Sequence, residues 1–369
     1  MKKNLIKLAF STLCAASVLM GCTQKNVNDT QMKNEKMIDS KGTQKSAIEI
    51  PNEYHKEINS VVFDIDTLEI PEGIILDNLH ECSITKQKPD QEKILELYSN
   101  GKEIVKSDSM ESTTLDGSTG LYEYRAFSDG SQINAADGNV GWMTKFASKI
   151  SYSFDAYNLD KYATSGEFDF GSRENSLQLV LDELNRYGYE IDDYEYTCIL
   201  LDYETMKEEE LHEEKVGEEL DIHSEWSAED NCYAFYINPK EQGVPVYFGL
   251  QYFMEDTDPT MMPIEGWVSS DGIKKMKINN LYSFKEKDDL YKLTDFDSCA
   301  EAIANKYGEI LSETQYRVER AKLYFVPMLN EKGGYDVKLA WLFEVDLQNG
   351  NSDKEYVIID AENGEEITL

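Results

Sequence analysis

The chain has 369 residues and carries 36 Lys and Arg against 71 Asp and Glu, a formal charge of −35. That acid excess excludes nucleic-acid binding, which rests on Lys and Arg neutralising phosphates, and docking on anionic lipid through a basic patch. A hydrophobic content of 41%, with 23 Tyr, 14 Phe and 4 Trp, excludes a wholly disordered chain, and the length suffices for two domains.

The chain opens with Lys2, Lys3 and Lys7, followed by an apolar run from Leu8 to Met20. This run is too short to span a bilayer, which takes about 20 residues, so it reads as a signal peptide over 1–21. It ends in Leu19-Met20-Gly21-Cys22, which resembles the bacterial lipobox, where a small residue precedes a cysteine that is diacylated and becomes the new N-terminus. The expected lipidation site is Cys22, whose acyl chains (palmitate among them) hold the mature protein on the extracytoplasmic face of the cell membrane. Residues 22–49 follow as a tether rich in Lys, Asn, Gln, Asp and Thr, too polar to repay the entropy of ordering. No later apolar run approaches membrane-span length.

Alternation over Val61–Asp66 predicts a half-buried strand that ends at the Pro71-Glu72-Gly73 turn. Pro89–Glu92 opens a short helix with Ile94, Leu95 and Leu97 on its apolar face. Residues 107–120 read as a loop, and strands are expected at Leu121–Phe127 and Gly141–Phe146. Two longer helices stand out. Arg173–Tyr187 places Leu177, Val180, Leu181 and Leu184 on one face and ends at Gly188. Asp295–Tyr307 begins with a cap-like Thr294-Asp295 and places Phe296, Cys299, Ala300, Ile303 and Tyr307 together, ending at Gly308. Each leads into a strand, Tyr194–Leu201 and Val318–Val326, and each follows an Asp-Gly turn, Asp137-Gly138 and Asp271-Gly272. The order hairpin, helix, strand occurs twice, as in a duplicated unit, although the apolar stripes are one residue out of register.

An acidic connector, Glu204–Glu219, separates the halves. The expectation is an α+β fold in two domains, 50–222 and 223–369, each an antiparallel sheet with a principal helix on one face. The last stretch is β-rich: Lys338–Val345, Tyr356–Asp360 and Glu365–Leu369, with turns at Asn349-Gly350 and Asn363-Gly364.

Residues 243–253, 267–278, the helix at 295–307, 321–328, 338–345 and 356–367 resemble, in that order, the accessory regulators of the Gram-positive cell-wall histidine kinase and related PepSY-type domains. Those domains finish with a Trp-bearing strand and an Asp-Ala-x-x-Gly-Glu hairpin, matched here by Trp341 and by Asp360 to Glu365. More broadly, the chain is similar to uncharacterised lipoproteins of Gram-positive anaerobes. The resemblance implies a binding or regulatory role beside an envelope protein. Two departures are plain: the regulators have a transmembrane helix where this chain has a lipobox, and the protease neighbour of propeptide PepSY domains has no counterpart here.

Candidate chemistry is sparse. After the signal and Cys22, the cysteines Cys82, Cys198, Cys232 and Cys299 remain, and four cysteines allow three complete pairings. None lies in a C-x-x-C motif, so zinc and redox catalysis are not indicated. Glu208 and His212 are spaced i, i+4 as a metal pair can be, but neighbouring glutamates account for them as solvated surface. Ser83-Ile84-Thr85-Lys86 fits the S-x-x-K pattern without its companion K-T-G. No catalytic residue, metal or cofactor is expected. The reading is a lipid-anchored, non-enzymatic binding or regulatory module with an envelope protein as partner, and no nucleic acid. The alternatives are a surface hydrolase of glycan or peptidoglycan using paired carboxylates, or a solute-binding lipoprotein. If a partner surface exists, it is expected on a sheet face or strand edge of the C-terminal domain, 223–369.

Overall fold

The computed structural model describes residues 50–113, 119–154, 156–210, 225–249, 262–308, 315–347 and 354–369. In chain order the first elements are β1 (Tyr54–Ile58), β2 (Val61–Ile65), β3 (His80–Lys86), α1 (Gln91–Ser99), β4 (Ile104–Thr113), β5 (Thr119–Phe127), β6 (Gln132–Ala136) and β7 (Asn139–Met143). Next come α2 (Lys145–Ile150), α3 (Arg173–Arg186), β8 (Asp193–Leu201), α4 (Tyr203–Glu209), β9 (Cys232–Glu241), β10 (Val244–Pro245), β11 (Ile264–Ser269) and β12 (Gly272–Ile278). The last are β13 (Tyr282–Leu290), α5 (Phe296–Gly308), β14 (Tyr316–Leu329), β15 (Tyr335–Asp346), β16 (Lys354–Asp360) and β17 (Glu366–Ile367). The result is a mixed fold, rich in antiparallel sheet and sparse in helix.

A nine-stranded sheet runs β8-β9-β11-β12-β7-β6-β5-β4, with β10 folded back beside the end of β9. Its centre is covered on both faces, which is why β9 reads as a nearly unbroken apolar run. Tyr233, Phe235 and Ile237 meet α1 and α3 through Ile94, Leu95, Leu177, Val180 and Leu184. Cys232, Ala234 and Tyr236 meet α2 and α4 through Ala147, Ile150 and Met206. A buried ion pair lies on this second side: Lys275 Nζ is 2.6 Å from Glu265 Oε1 and sits over the Trp267 ring.

The six-stranded sheet runs β1-β2-β14-β15-β16-β17, antiparallel except for the β2–β14 pair. α5 lies on it, burying Phe296, Cys299, Ala300, Ile303, Ala304 and Tyr307 against Trp341, Phe343 and Val345. Phe296 and Ile303 alone contribute about 1.5–3 kcal/mol each by leaving water. A two-stranded ribbon of β3 and β13 completes the fold. The Gln242-Gly243 turn after β9 docks on it, with the Gln242 amide bonding both the N–H and the C=O of His80. The large sheets touch where the Tyr247 N–H donates to the Phe325 carbonyl at 2.8 Å.

The α3 and α5 helices form where the apolar spacing places them, and both end in glycine, for different physical reasons. Gly188 sits at φ +87°, the left-handed region that a helix C-terminus reaches most cheaply with glycine. Gly308 does not need that conformation. A Cβ on it would sit 2.8 Å from Asn59 Cβ, so the glycine is there to let two chain segments touch.

Two expectations are corrected. A boundary near 222 would divide every sheet, because β1 and β2 pair into the sheet of β14–β17, β9–β12 into that of β4–β8, and β3 with β13. Local periodicity reports which residues are strand, not which distant strand needs cover. Of the segment 107–120, expected as a loop, residues 107–113 and 119–120 supply the end of β4 and the start of β5, paired from Ser107↔Arg125 to Thr113↔Thr119, and 114–118 lie outside the described residues. The hairpin–helix–strand order recurs, but the strand after α3 enters the nine-stranded sheet and the one after α5 the six-stranded sheet.

Candidate interaction surface

Cys22, His212 and the Asn349-Gly350 turn lie outside the described residues. Ser83 and Lys86 are on β3, where a spacing of three points them to opposite faces. Ser83 Oγ donates to the Lys285 carbonyl, and Lys86 Nζ is 2.8 Å from Asp137, so no nucleophile–base contact forms. All four remaining cysteines are buried free thiols. Burial pushes the Cys82 thiol up to about 11 and those of Cys198 and Cys299 to about 12, and it raises Cys232 as well. Cys198 and Cys232 face opposite sides of the nine-stranded sheet.

The C-terminal strands that carry the family resemblance are committed to packing. Trp341, Phe343 and Val345 are each no more than 1% exposed, and β17 pairs with Ile358 and Ile359 on the outer edge of β16. Asp360 holds its hairpin by accepting from the Glu362 N–H and pairs with Lys338.

Among the described residues, one group of potential metal ligands lies close together: His55, Asp64 and Asp66, with donor atoms within 4.8 Å of one another. His55 hydrogen-bonds Asp64 at 2.8 Å and holds its carboxyl below the usual range, helped by Arg317 at 2.6 Å. A cation there would have to compete with a guanidinium already in place.

A different feature stands out at the far edge of the nine-stranded sheet. Every residue of β4 from Ile104 to Glu111 is exposed, and among the described residues this strand pairs with β5 alone. The register shifts by one between Ile104 and Lys106, leaving Val105 as a bulge, and then runs evenly to Thr113. Ser107, Ser109 and Glu111 share a face with Leu121, Glu123 and Arg125. That face is braced by α1, where Gln91 Nε2 donates to Glu123 and to the Leu121 carbonyl, and Arg125 donates to Ser99. Lys106, Asp108 and Met110 share the other face with Tyr122 and Tyr124. Lys106 Nζ lies 5.7 Å from the Tyr124 ring centre, and the Tyr124 hydroxyl donates to Gln132.

An open groove of about 560 Å³ follows this edge, lined by Ile104, Ser107, Asp108, Ser109, Glu123, Tyr124 and Arg125. Ile104, Val105, Met110 and Leu121, each 44–61% exposed, gather apolar surface on the same arm. Sequence reading missed it because neither face of β4 is buried, so the strand has no period-two alternation. The usable signal was the β-branched Ile104-Val105 start and the Asp116-Gly117 step before the next strand.

No family model and no curated protein matches the chain. Among solved structures, an uncharacterised protein from Eubacterium rectale superposes with a TM-score of 0.54 at 14% identity, covering 84% of this chain and 91% of the other. That likeness is one of fold. The Bacillus megaterium YpeB C-terminal domain aligns over 76% of this chain and 96% of its own length, at 9% identity and a TM-score of 0.27. A score that low carries no argument.

Proposed function

We propose that this protein is a non-enzymatic binding or regulatory module, held on the extracytoplasmic face of the membrane by a diacylglyceryl group on Cys22. On this reading the partner is a cell-envelope protein, and the C-terminal strands, with Trp341 and Asp360 to Glu365, belong to a PepSY-like unit. The signal peptide and lipobox support the anchoring. One observation carries the binding role: β4, a ten-residue edge strand with its apolar and charged side chains exposed on both faces. A sheet edge left open offers backbone donors and acceptors to another chain; here the Val105 bulge guards one end, and the regular ladder from Lys106 onward is the part that can pair.

The test has two arms. Cys22→Ala should move the protein from the membrane to the soluble fraction and abolish palmitate labelling; equal membrane retention would refute the anchoring. Affinity capture of the anchored wild type from its native membrane should recover a stoichiometric protein partner. Recovery of none, together with measured turnover of a glycan or peptidoglycan substrate, would replace the binding reading with the hydrolase one.

A further inference from the structure

We infer that β4 receives an extended, basic polypeptide segment as an added strand of the nine-stranded sheet; this rests on the binding-module reading and specifies its site. From Lys106 to Thr113 the ladder to β5 is regular, so the edge that no described strand pairs is a straight template on which alternate residues turn N–H and C=O outward. The bulge at Val105 bends the strand at one end and limits the addition to the part beyond it.

The chemistry of the incoming strand follows from the side chains beside that edge. Asp108 on one face and Glu111 on the other have no ion-pair partner among the described residues. The cations of the arm are engaged: Arg125 donates to Ser99 and lies 4.0 Å from Glu123, and Lys106 lies over Tyr124. A strand laid along β4 places its residues opposite 108 and 111 three positions apart, on opposite faces. Lys or Arg at those two positions meets both carboxylates, and between them Met110 offers an apolar contact. The charge of −35 on the whole chain attracts such a segment and opposes a second copy of this protein, although Lys106 and Asp108 would pair in an antiparallel self-association.

The probe is a synthetic Thr/Val peptide of about eight residues, with two lysines three positions apart. It is compared with versions in which the lysines are two apart, in which glutamates replace them, and in which alternate backbone amides are methylated. The full-length wild type and an Asp108→Lys/Glu111→Lys variant are measured by fluorescence anisotropy, with amide hydrogen exchange read at 104–113. The first peptide should bind and slow exchange within 104–113. It should lose about tenfold in affinity on the double variant and again between about 50 and 300 mM salt. The three control peptides should bind about tenfold more weakly.

The inference is overturned by protection elsewhere with none in 104–113, by equal binding of the methylated peptide, or by a dimer that protects 104–113 without peptide. Undiminished capture of the native partner by the double variant would also end this site while leaving the binding-module reading in place. Failure of the wild type to capture any partner would strike that broader reading instead.

Discussion

Replacing Gly266 with alanine measures how closely α3 lies on the nine-stranded sheet. A Cβ on Gly266 would sit 2.6 and 2.7 Å from the two γ-methyls of Val180, closer than carbon atoms approach without something moving. Val180 is 0% exposed, and a β-branched side chain on a helix has little rotamer freedom with which to yield. Overpacking of this kind costs about 1–3 kcal/mol. Val180→Ala alone removes two buried methyls, about 1.6 kcal/mol of transfer plus a cavity contribution, for a loss of about 2 kcal/mol. In the double variant the alanine at 266 occupies the vacated space, so its cost should stay at about 2 kcal/mol and the pair should couple by about 1–3 kcal/mol. Urea unfolding followed by tryptophan fluorescence supplies the four midpoints of the cycle. Strictly additive losses, or a neutral Gly266→Ala, would refute the close approach.

Three further outcomes are expected. Burial, with Glu286, Asp192 and Asp193 adding repulsion, pushes the Glu241 carboxyl from 4.5 up to about 7. The folded state therefore holds that proton more tightly than the unfolded state, so stability falls as pH rises from about 4.5 to about 7 and then levels. At the half-buried site, screening reduces the effect to about 1 kcal/mol, and Glu241→Gln should flatten this part of the pH–stability curve. Lys275→Met leaves the Glu265 charge buried without its partner and should cost about 3–5 kcal/mol, whereas Glu265→Leu/Lys275→Met should cost less; equal losses in thermal or urea unfolding would count against the pair. A thiol reagent near neutral pH should leave Cys82, Cys198, Cys232 and Cys299 unlabelled in the native protein and modify all four once denaturant is added, which mass spectrometry can count.

The elements that sequence reveals best are those with one buried face. Leu177, Val180 and Leu184 of α3, and Phe296, Cys299, Ala300, Ile303 and Tyr307 of α5, have the spacing of a helical stripe and are buried together. The Asp137-Gly138 step, with both residues at positive φ, likewise turns the β6–β7 hairpin as its chemistry dictates. What stayed hidden has two causes. Strand partnership is a long-range choice: nothing in Val61–Ile65 says that its neighbour will be Tyr316–Val318 rather than a strand close by. A strand exposed on both faces also loses its periodicity, so Ser107–Thr113 looks like a loop in sequence and is found only through its backbone pairing with β5.

The same wide-ranging pairing governs the order in which the molecule can be assembled. Asp64 and Arg317, joined by a salt bridge, stand 253 residues apart in the chain. As the polypeptide is made, β1 and β2 emerge early, yet the sheet that gives them a core is supplied by β14, β15 and β16 at the other end. β1 and β2 can pair with each other at once, but until those strands arrive Phe63 and Ile65 have no permanent apolar cover, and the hairpin's inner face must stay exposed or be shielded by another molecule. Closing loops of that length makes acquisition of the native state slow and dependent on a complete chain. A chain truncated before β14 would therefore carry α1 to α5 and still could not close its six-stranded sheet.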